Sequence, residues 1–488
     1  MELQWNQTGC AFLRRELWET QNLEEVQEVR LPEDLPDIGR IICAWGQPVL
    51  RSKEWKNDAI AASGGVVCWV LYAPEDGSEP KCLDVWIPFH AKWSLQDGHR
   101  EGHIRLSCCL RSVDARTRSA RKMAVRASLG VQVEAMVPAK ESISSPGEIP
   151  DGLQLLEKTY PAMLPKEAGE KVFSLEEDVP IIGLKPEKIL FCQIFPEVTE
   201  RNVIGSRAVF KGNCALRILY ATENGSVESC LKEFPFAQYA DLDNDYDKNP
   251  VLSVVMAVSS LDTEILEDAV HIKCGLVAQY LVHDRQLIRV AEDCYSLEQA
   301  VTPVLETPVL PVMLDQTQTS LKVPVNLPNE AKELLDCSFF PDHPVQFREG
   351  NTLCNHMGGI CQTLYRDMEG NLQSTTENWC GEWNLPLEEE CSAFVRLMAV
   401  LPSEDGQMGV KLEALSVSNQ EIPMITDIHT GEKKEADPDR PSLVIRRAGE
   451  CSLWELAKRC GTTVSTIQKV NQLTGEPEKD TMLLIPIP

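Results

Sequence analysis

The 488-residue chain is too long for one hydrophobic core and calls for three or four domains, with 43% hydrophobic residues to fill them. Its formal net charge of −27 excludes a general nucleic-acid binder, since phosphates would be repelled, and disfavours docking on an anionic membrane. Met1 to Thr20 carries Glu2, Arg14, Arg15 and Glu16 with no continuous apolar run, and no window reaches the roughly 18 to 20 apolar residues of a membrane span. A cytosolic protein is expected, whose 18 cysteines, many at apolar strand positions such as Cys68, Cys214 and Cys274, act as small core hydrophobes with free thiols.

One pattern is written three times. The first copy has an apolar pair, Ile41-Ile42, then a strand from Gly65 to Tyr72 that ends Leu-Tyr. A turn signal, Asp76-Gly77, follows, then an apolar-Pro corner, Ile87-Pro88-Phe89, and an alternating strand from Leu129 to Met136. The second copy has Ile189-Leu190, Asn213 to Tyr220, Asn224-Gly225, Phe234-Pro235-Phe236 and His271 to Ala278. The third has Leu334-Leu335, Gly359 to Tyr365, Glu369-Gly370-Asn371, Leu385-Pro386-Leu387 and Val410 to Val417. Each pair begins 31 residues before its Tyr, and successive Tyr residues lie 148 and 145 apart. Period-two alternation marks half-buried strands. The expected fold is therefore mainly β: three tandem antiparallel β-rich repeat domains at 24–138, 171–300 and 319–430. Between them, 139–152 and 301–320 read as Pro-bearing linkers, and 431–442 as a charged tether that lets the last module reach out from the body.

The last module, 441–488, reads as a small α+β unit of β-α-α-β order. Val444-Ile445 is a first strand and Leu483-Leu484-Ile485 a returning one. Between them, Leu453, Leu456, Ala457 and Cys460 share a helical face that Gly461 ends. Thr463 can cap a second helix, with Ile467 and Val470 facing inward and Asn471 closing it.

Few residues suggest chemistry. There is no Walker A motif, no G-x-G-x-x-G after a strand, no G-x-S-x-G elbow, no H-E-x-x-H and no C-x-x-C pair, so no catalytic residue is assigned and a non-enzymatic protein is expected. Alternating carboxylates at Asp241, Asp243, Asp245 and Asp247 offer hard oxygen ligands for Ca²⁺, yet Tyr246 stands where a sharp-turn Gly belongs and Leu252 where a Glu belongs. A solvated loop is the plainer reading. His99 and His103 flank glycines that oppose a shared helix face, and Cys354, His356 and Cys361 read as strand residues, so neither metal nor cofactor is expected. Arg111, Arg116, Arg118, Arg121, Lys122 and Arg126 cluster with Asp114 the one acid among them. They form either a basic hairpin paired with acids of the same chain or a dock for an acidic partner; no aromatic interleaves them as nucleic acid would require.

The terminal pattern, from Ser452-Leu-Trp-Glu-Leu-Ala-Lys-Arg-Cys-Gly461 to Leu483-Leu-Ile-Pro486, resembles a LysM domain. The resemblance implies a binding groove between the loop entering the first helix and the loop leaving the second, here Glu450, Cys451, Ser452, Leu453 and Trp454 with Val470, Asn471, Gln472 and Leu473. Trp454 could face a partner or the core. The usual Gly-Asp-Thr is replaced by Glu450-Cys451-Ser452, so the sugar-facing loop is altered while the helical core is kept, which favours a protein ligand over glycan. The repeats resemble the SPOCS domain of spore-forming Firmicutes, through Val29-Arg-Leu-Pro-Glu-Asp-Leu-Pro-Asp-Ile38 and the Leu-Tyr and Ile-Pro-Phe segments of the first copy. Tandem SPOCS units ending in LysM look like the SipL-type spore morphogenetic proteins. That likeness implies a mother-cell scaffold, non-enzymatic, that tethers a coat-basement ATPase-type protein at the forespore surface. A peptidoglycan-binding accessory protein is the alternative.

Overall fold

The computed structural model describes residues 4–95, 101–181, 183, 185–246, 249–267, 269–388, 390–402, 407–434, 441–449 and 451–487. It is mainly β, with two short helices near the C-terminus. Six strands come first: β1 (Trp5–Arg30), β2 (Ile38–Lys56), β3 (Ala59–Pro74), β4 (Lys81–Ser94), β5 (His103–Ser119) and β6 (Lys122–Pro146). They form two antiparallel sheets, β1-β6-β5 and β2-β3-β4, whose inner faces share one core. The alternation dictated this. In β4 the buried positions Cys82, Leu83, Val85, Ile87, Phe89, Ala91 and Trp93 are interleaved with outward Asp84, Trp86 and Lys92.

The plan returns in β7 (Leu153–Pro180), β8 (Pro186–Thr222), β9 (Val227–Tyr246), β10 (Val251–Ile265) and β11 (Ala269–Ser296), paired as β10-β11-β7 and β8-β9. β8 folds back on itself at Gly205, whose φ of +59° glycine adopts without a steric penalty. Lys211 then reaches Glu200 at 3.2 Å across the two halves, which take the places of β2 and β3. The third set is β12 (Gln299–Glu306), β13 (Val309–Val323), β14 (Ala331–Pro341), β15 (Val345–Glu349), β16 (Thr352–Asp367), β17 (Leu372–Pro386), β18 (Cys391–Pro402), β19 (Met408–Glu421) and β20 (Met424–Lys433). Here β13-β19-β18 faces β14-β16-β17, while β12 pairs with β20. Gly77, Gly225 and Gly370 carry φ of +75°, +75° and +90° in the three expected turns.

Two expectations are corrected. The segments read as linkers are strands: β6 continues to Pro146, and β12 and β13 occupy 301–320. Their prolines mislead because Pro303 and Pro311 sit in edge strands, where a missing N–H costs no ladder bond. The bounds read at 24, 138, 171, 300, 319 and 430 thus fall within β1, β6, β7, β12, β13 and β20. The apolar-Pro segments are not corners either; Pro88 and Pro235 lie inside the edge strands β4 and β9, opposite Gly65 and Asn213.

The three sets close head to tail. β2 packs on β10, β8 on β18 and β14 on β5; likewise β4 meets β8, β9 meets β14 and β17 meets β2. A contact that repeats with one rotation and returns to its start makes a ring. The repeated motif residues build its centre. Ile42, Leu190 and Leu335 from the apolar pairs join Leu71, Leu219 and Leu364 from the Leu-Tyr ends in one buried cluster. Period two turns each following Tyr the other way, so Tyr72 and Tyr220 enter the cores of their own sheet pairs. Beyond the ring, the far ends of β1, β6, β7, β11, β13 and β20 meet around a smaller cluster that includes Phe12, Ile143, Leu164, Ile288, Leu310 and Met424.

The C-terminal unit is β21 (Leu443–Arg447), α1 (Leu453–Cys460), α2 (Val464–Asn471) and β22 (Met482–Pro486), with β21 antiparallel to β22.

Candidate functional site

Local chemistry builds the terminal unit. Ser452 caps α1: its Oγ accepts the Glu455 N–H at 3.2 Å, and the Glu455 carboxylate accepts the Ser452 N–H at 3.1 Å. Gly461 ends α1 at φ +57°. Thr463 caps α2, but the left-handed residue closing it is Gln472, not Asn471. Asn471 is spent elsewhere: its side chain accepts the Leu484 N–H at 2.8 Å and donates to the carbonyls of Leu484 and Ile467. That locks α2 onto β22.

The two loops of the expected groove do approach one another, through a residue the sequence did not single out. The Glu476 carboxylate accepts the Leu453 N–H at 3.2 Å, joining the loop after α2 to the start of α1. Leu453 is fully buried, and Cys451 and Leu473 pack against the same core. Val470 and Gln472 are exposed, and Glu450 lies outside the described residues. An apolar face missed by the sequence reading is the outer side of the two-stranded sheet, where Leu443, Ile445, Met482 and Leu484 are all exposed. Strand alternation could have found it, since period two sets Leu443 and Ile445 on one face of the first strand and Met482 and Leu484 on one face of the second.

Trp454 answers neither expectation fully, because it faces the rest of the chain. Its Nε1 donates to Asp293 at 2.8 Å, Lys458 Nζ reaches both oxygens of Asp293 at 2.7 and 2.8 Å, and its ring meets Tyr295 edge-on at 4.8 Å. The Tyr295 hydroxyl donates to the Thr462 carbonyl at 2.8 Å, and Tyr295 joins the module's own core. Burial would raise the Asp293 carboxyl, but hydrogen bonds from Lys458 and Trp454 hold it below its ordinary value. The module therefore seats on the end of β11. The expected outreach on a free tether is corrected, the reason being this aromatic and charged seat.

The basic cluster resolves into pairs. Arg111 donates to Asp342 at 2.7 Å, Arg121 to Asp37 at 2.6 Å, and Arg126 lies 3.3 Å from Asp114 and 3.5 Å from Glu24. Arg116 takes Asp114 at 3.2 Å, Arg118 is 4.0 Å from Glu28, and Lys122 is exposed at the start of β6. Asp241 pairs with Arg207, and Glu167 binds the Asp243 amide and the Tyr246 hydroxyl, while Asp247 lies outside the described residues. His99 is likewise outside them. Cys354 and His356 fall on the face of β16 opposite Cys361, and His356 pairs with Glu382 at 3.1 Å. Among the described residues no group of three His, Cys, Asp or Glu is placed to hold a metal ion.

The strongest electrostatics lie where the ring closes, at residues the sequence reading passed over. Glu134 on β6 is completely buried and receives Arg105 of β5 at 2.8 Å, Arg396 of β18 at 2.9 Å and Arg15 of β1 at 2.8 Å. Burial alone would raise its carboxyl, yet the three guanidiniums hold it well below the ordinary range. Arg105 also donates to Ser253 of β10 at 3.2 Å, and Ser253 to Glu413 of β19 at 3.0 Å, which takes Arg201 at 2.6 Å. A second belt runs nearby: Trp45 donates to Asp336 at 2.8 Å, Arg217 to Ser338 at 2.7 Å, and Gln193 to the Gly46 carbonyl at 2.7 Å. Both belts tie all three strand sets together.

A family model described as SipL, SPOCS domain, matches residues 185–266, which spans β8, β9 and β10. No curated protein and no solved structure matches the chain.

Proposed function

We propose that this protein is a non-enzymatic scaffold of the bacterial spore envelope. In this reading the three strand sets are SPOCS-like repeats closed into one ring, and the terminal unit is a LysM-like module. The module tethers a coat-basement, ATPase-type protein at the forespore surface from the mother-cell cytoplasm. The observation that carries the reading is the SPOCS match, which supports a sporulation-related protein. The ring adds support of a physical kind. Its centre is spent on apolar packing and on carboxylates paired with guanidiniums, an arrangement that fixes geometry. A rigid body bearing a seated module suits attachment, since each further contact on one body is made at high effective concentration.

The test is a fluorescent fusion of the full chain, and of residues 1–440, in sporulating cells of the native host. Full-length signal should encircle the forespore and the shorter chain should lose that ring. Diffuse signal throughout sporulation, or accumulation in vegetative walls, would overturn the reading in favour of glycan binding.

A further inference from the structure

A cavity of about 150 Å³ lies where the three strand sets meet, and the function proposed above does not use it. Its walls come from each set in turn: Gly46, Gln47, Pro48 and Leu50 on β2, Gln193 to Pro196 at β8, and Ser338 to Pro341 on β14. The facing strands β5, β10 and β18 supply Cys109, Ala257 and Ala399. We propose that this axial cavity binds a small, neutral, largely apolar molecule, aromatic or branched, of about six to eight non-hydrogen atoms.

Size and lining set the class. An apolar cavity of about this volume accepts a benzene-sized guest. Phe195, Phe339, Phe340, Met256, Met398 and Met408 provide the surface, and thioethers adapt to irregular ligands. Charge is not called for, because Arg217, the charged side chain at the wall, is already paired. Arg217 donates to Ser338, to Gln193 and to the Cys337 carbonyl and lies 3.2 Å from Asp336, while Gln47 accepts the Ile194 N–H at 3.1 Å. A carboxylate or phosphate guest would find no uncommitted cation there. Pro48, Cys108, Pro196 and Leu397 in the lining are only half-buried, so the cavity can be reached from solvent. The fold did not need the void. An empty apolar cavity lowers stability in proportion to its volume, and a larger residue at Ala257 or Ala399 would remove it. A guest touches all three sets at once, so occupancy strengthens ring closure by linkage.

The experiment uses the full chain with ¹³C-methyl methionine and benzene, phenol and isobutanol as probes, with naphthalene as an oversized control. The Met256, Met398 and Met408 methyl resonances should move saturably with benzene or phenol while the other methionines stay put. The melting temperature should rise by about 2 °C or more near saturation. Ala257→Leu and Ala399→Leu should each abolish the response. Unmoved methyl resonances with a flat melting temperature for every probe would mean that only water enters, and would overturn the proposal. Should both filled variants fail to fold, the wild-type methyl titration still decides it.

Discussion

Glu134 in the ring and Asp293 at the seat of the terminal module do similar electrostatic work at different depths. Glu134 is wholly buried, and two of its arginines, Arg105 and Arg396, are 3% exposed. Asp293 and Lys458 keep 28% and 43% of their side chains in water. Removing a partner from a buried pair strands an uncompensated charge, whereas water and salt take over much of an exposed pair. Losing a partner therefore costs more in the ring than at the seat of the module.

The comparison is broken most sharply at Glu134. Glu134→Gln leaves three guanidiniums around a neutral amide, and a loss of about 3–5 kcal/mol in unfolding free energy is expected. Chemical denaturation of the full chain measures it; a loss below about 1 kcal/mol would show that the cluster relaxes into water and that the depth argument fails. Next in size is a pH effect from the same interior. His283 is fully buried without a partner for Nδ1, and burial together with Arg105 and Arg15 lowers its pKa to about 3. Glu134 and Glu413 oppose that shift without reversing it. The unfolded imidazole takes up a proton near pH 6.5 and the folded one does not, so stability falls as pH drops from about 6.5 toward 3. The slope approaches about 1.4 kcal/mol per pH unit for this one proton. His343, lowered to about 4 by burial, acts in the same direction. Melting temperature against pH should flatten between 4.5 and 6.5 in His283→Gln, relative to the native protein at matched ionic strength.

These sites differ in how well the amino-acid order announces them. The terminal unit was legible because its signals are local: Ser452, Gly461 and Thr463 act within one turn of where they stand. So were the hairpin turns at Gly77, Gly225 and Gly370. The ring was not, since period two says which face of a strand is buried and not which strand covers it. Leu219 and Ile42 read as ordinary core until the topology brings them to one axis. The arginine cluster of β5 and β6 was left open between pairing within the chain and docking a partner for the same reason, its acids Glu24, Asp37 and Asp342 lying far away in the chain. Trp454 was read as core or as partner surface, and Asp293, more than 150 residues earlier, gives it a third place, against the rest of the chain.

At the module, Asp293→Ala should cost about 1–2 kcal/mol of docking, combining one exposed ion pair with one indole hydrogen bond. Amides inside α1 should keep their exchange protection while the Tyr295 end of β11 loses it, because the unit lifts away intact. Ser452→Ala sharpens the contrast from the other side. It removes the acceptor for the Glu455 N–H and half of a capping box, at a cost of about 1 kcal/mol confined to α1. Fraying then begins at Leu453 and Trp454, the very residues that hold Glu476 and Asp293. If hydrogen exchange in Ser452→Ala speeds at α1 and leaves the Tyr295 end of β11 unchanged, fold and seat are separate devices. Equal acceleration at both would mean that the cap holds the module to the ring, and that the module cannot lift off without losing its first helix.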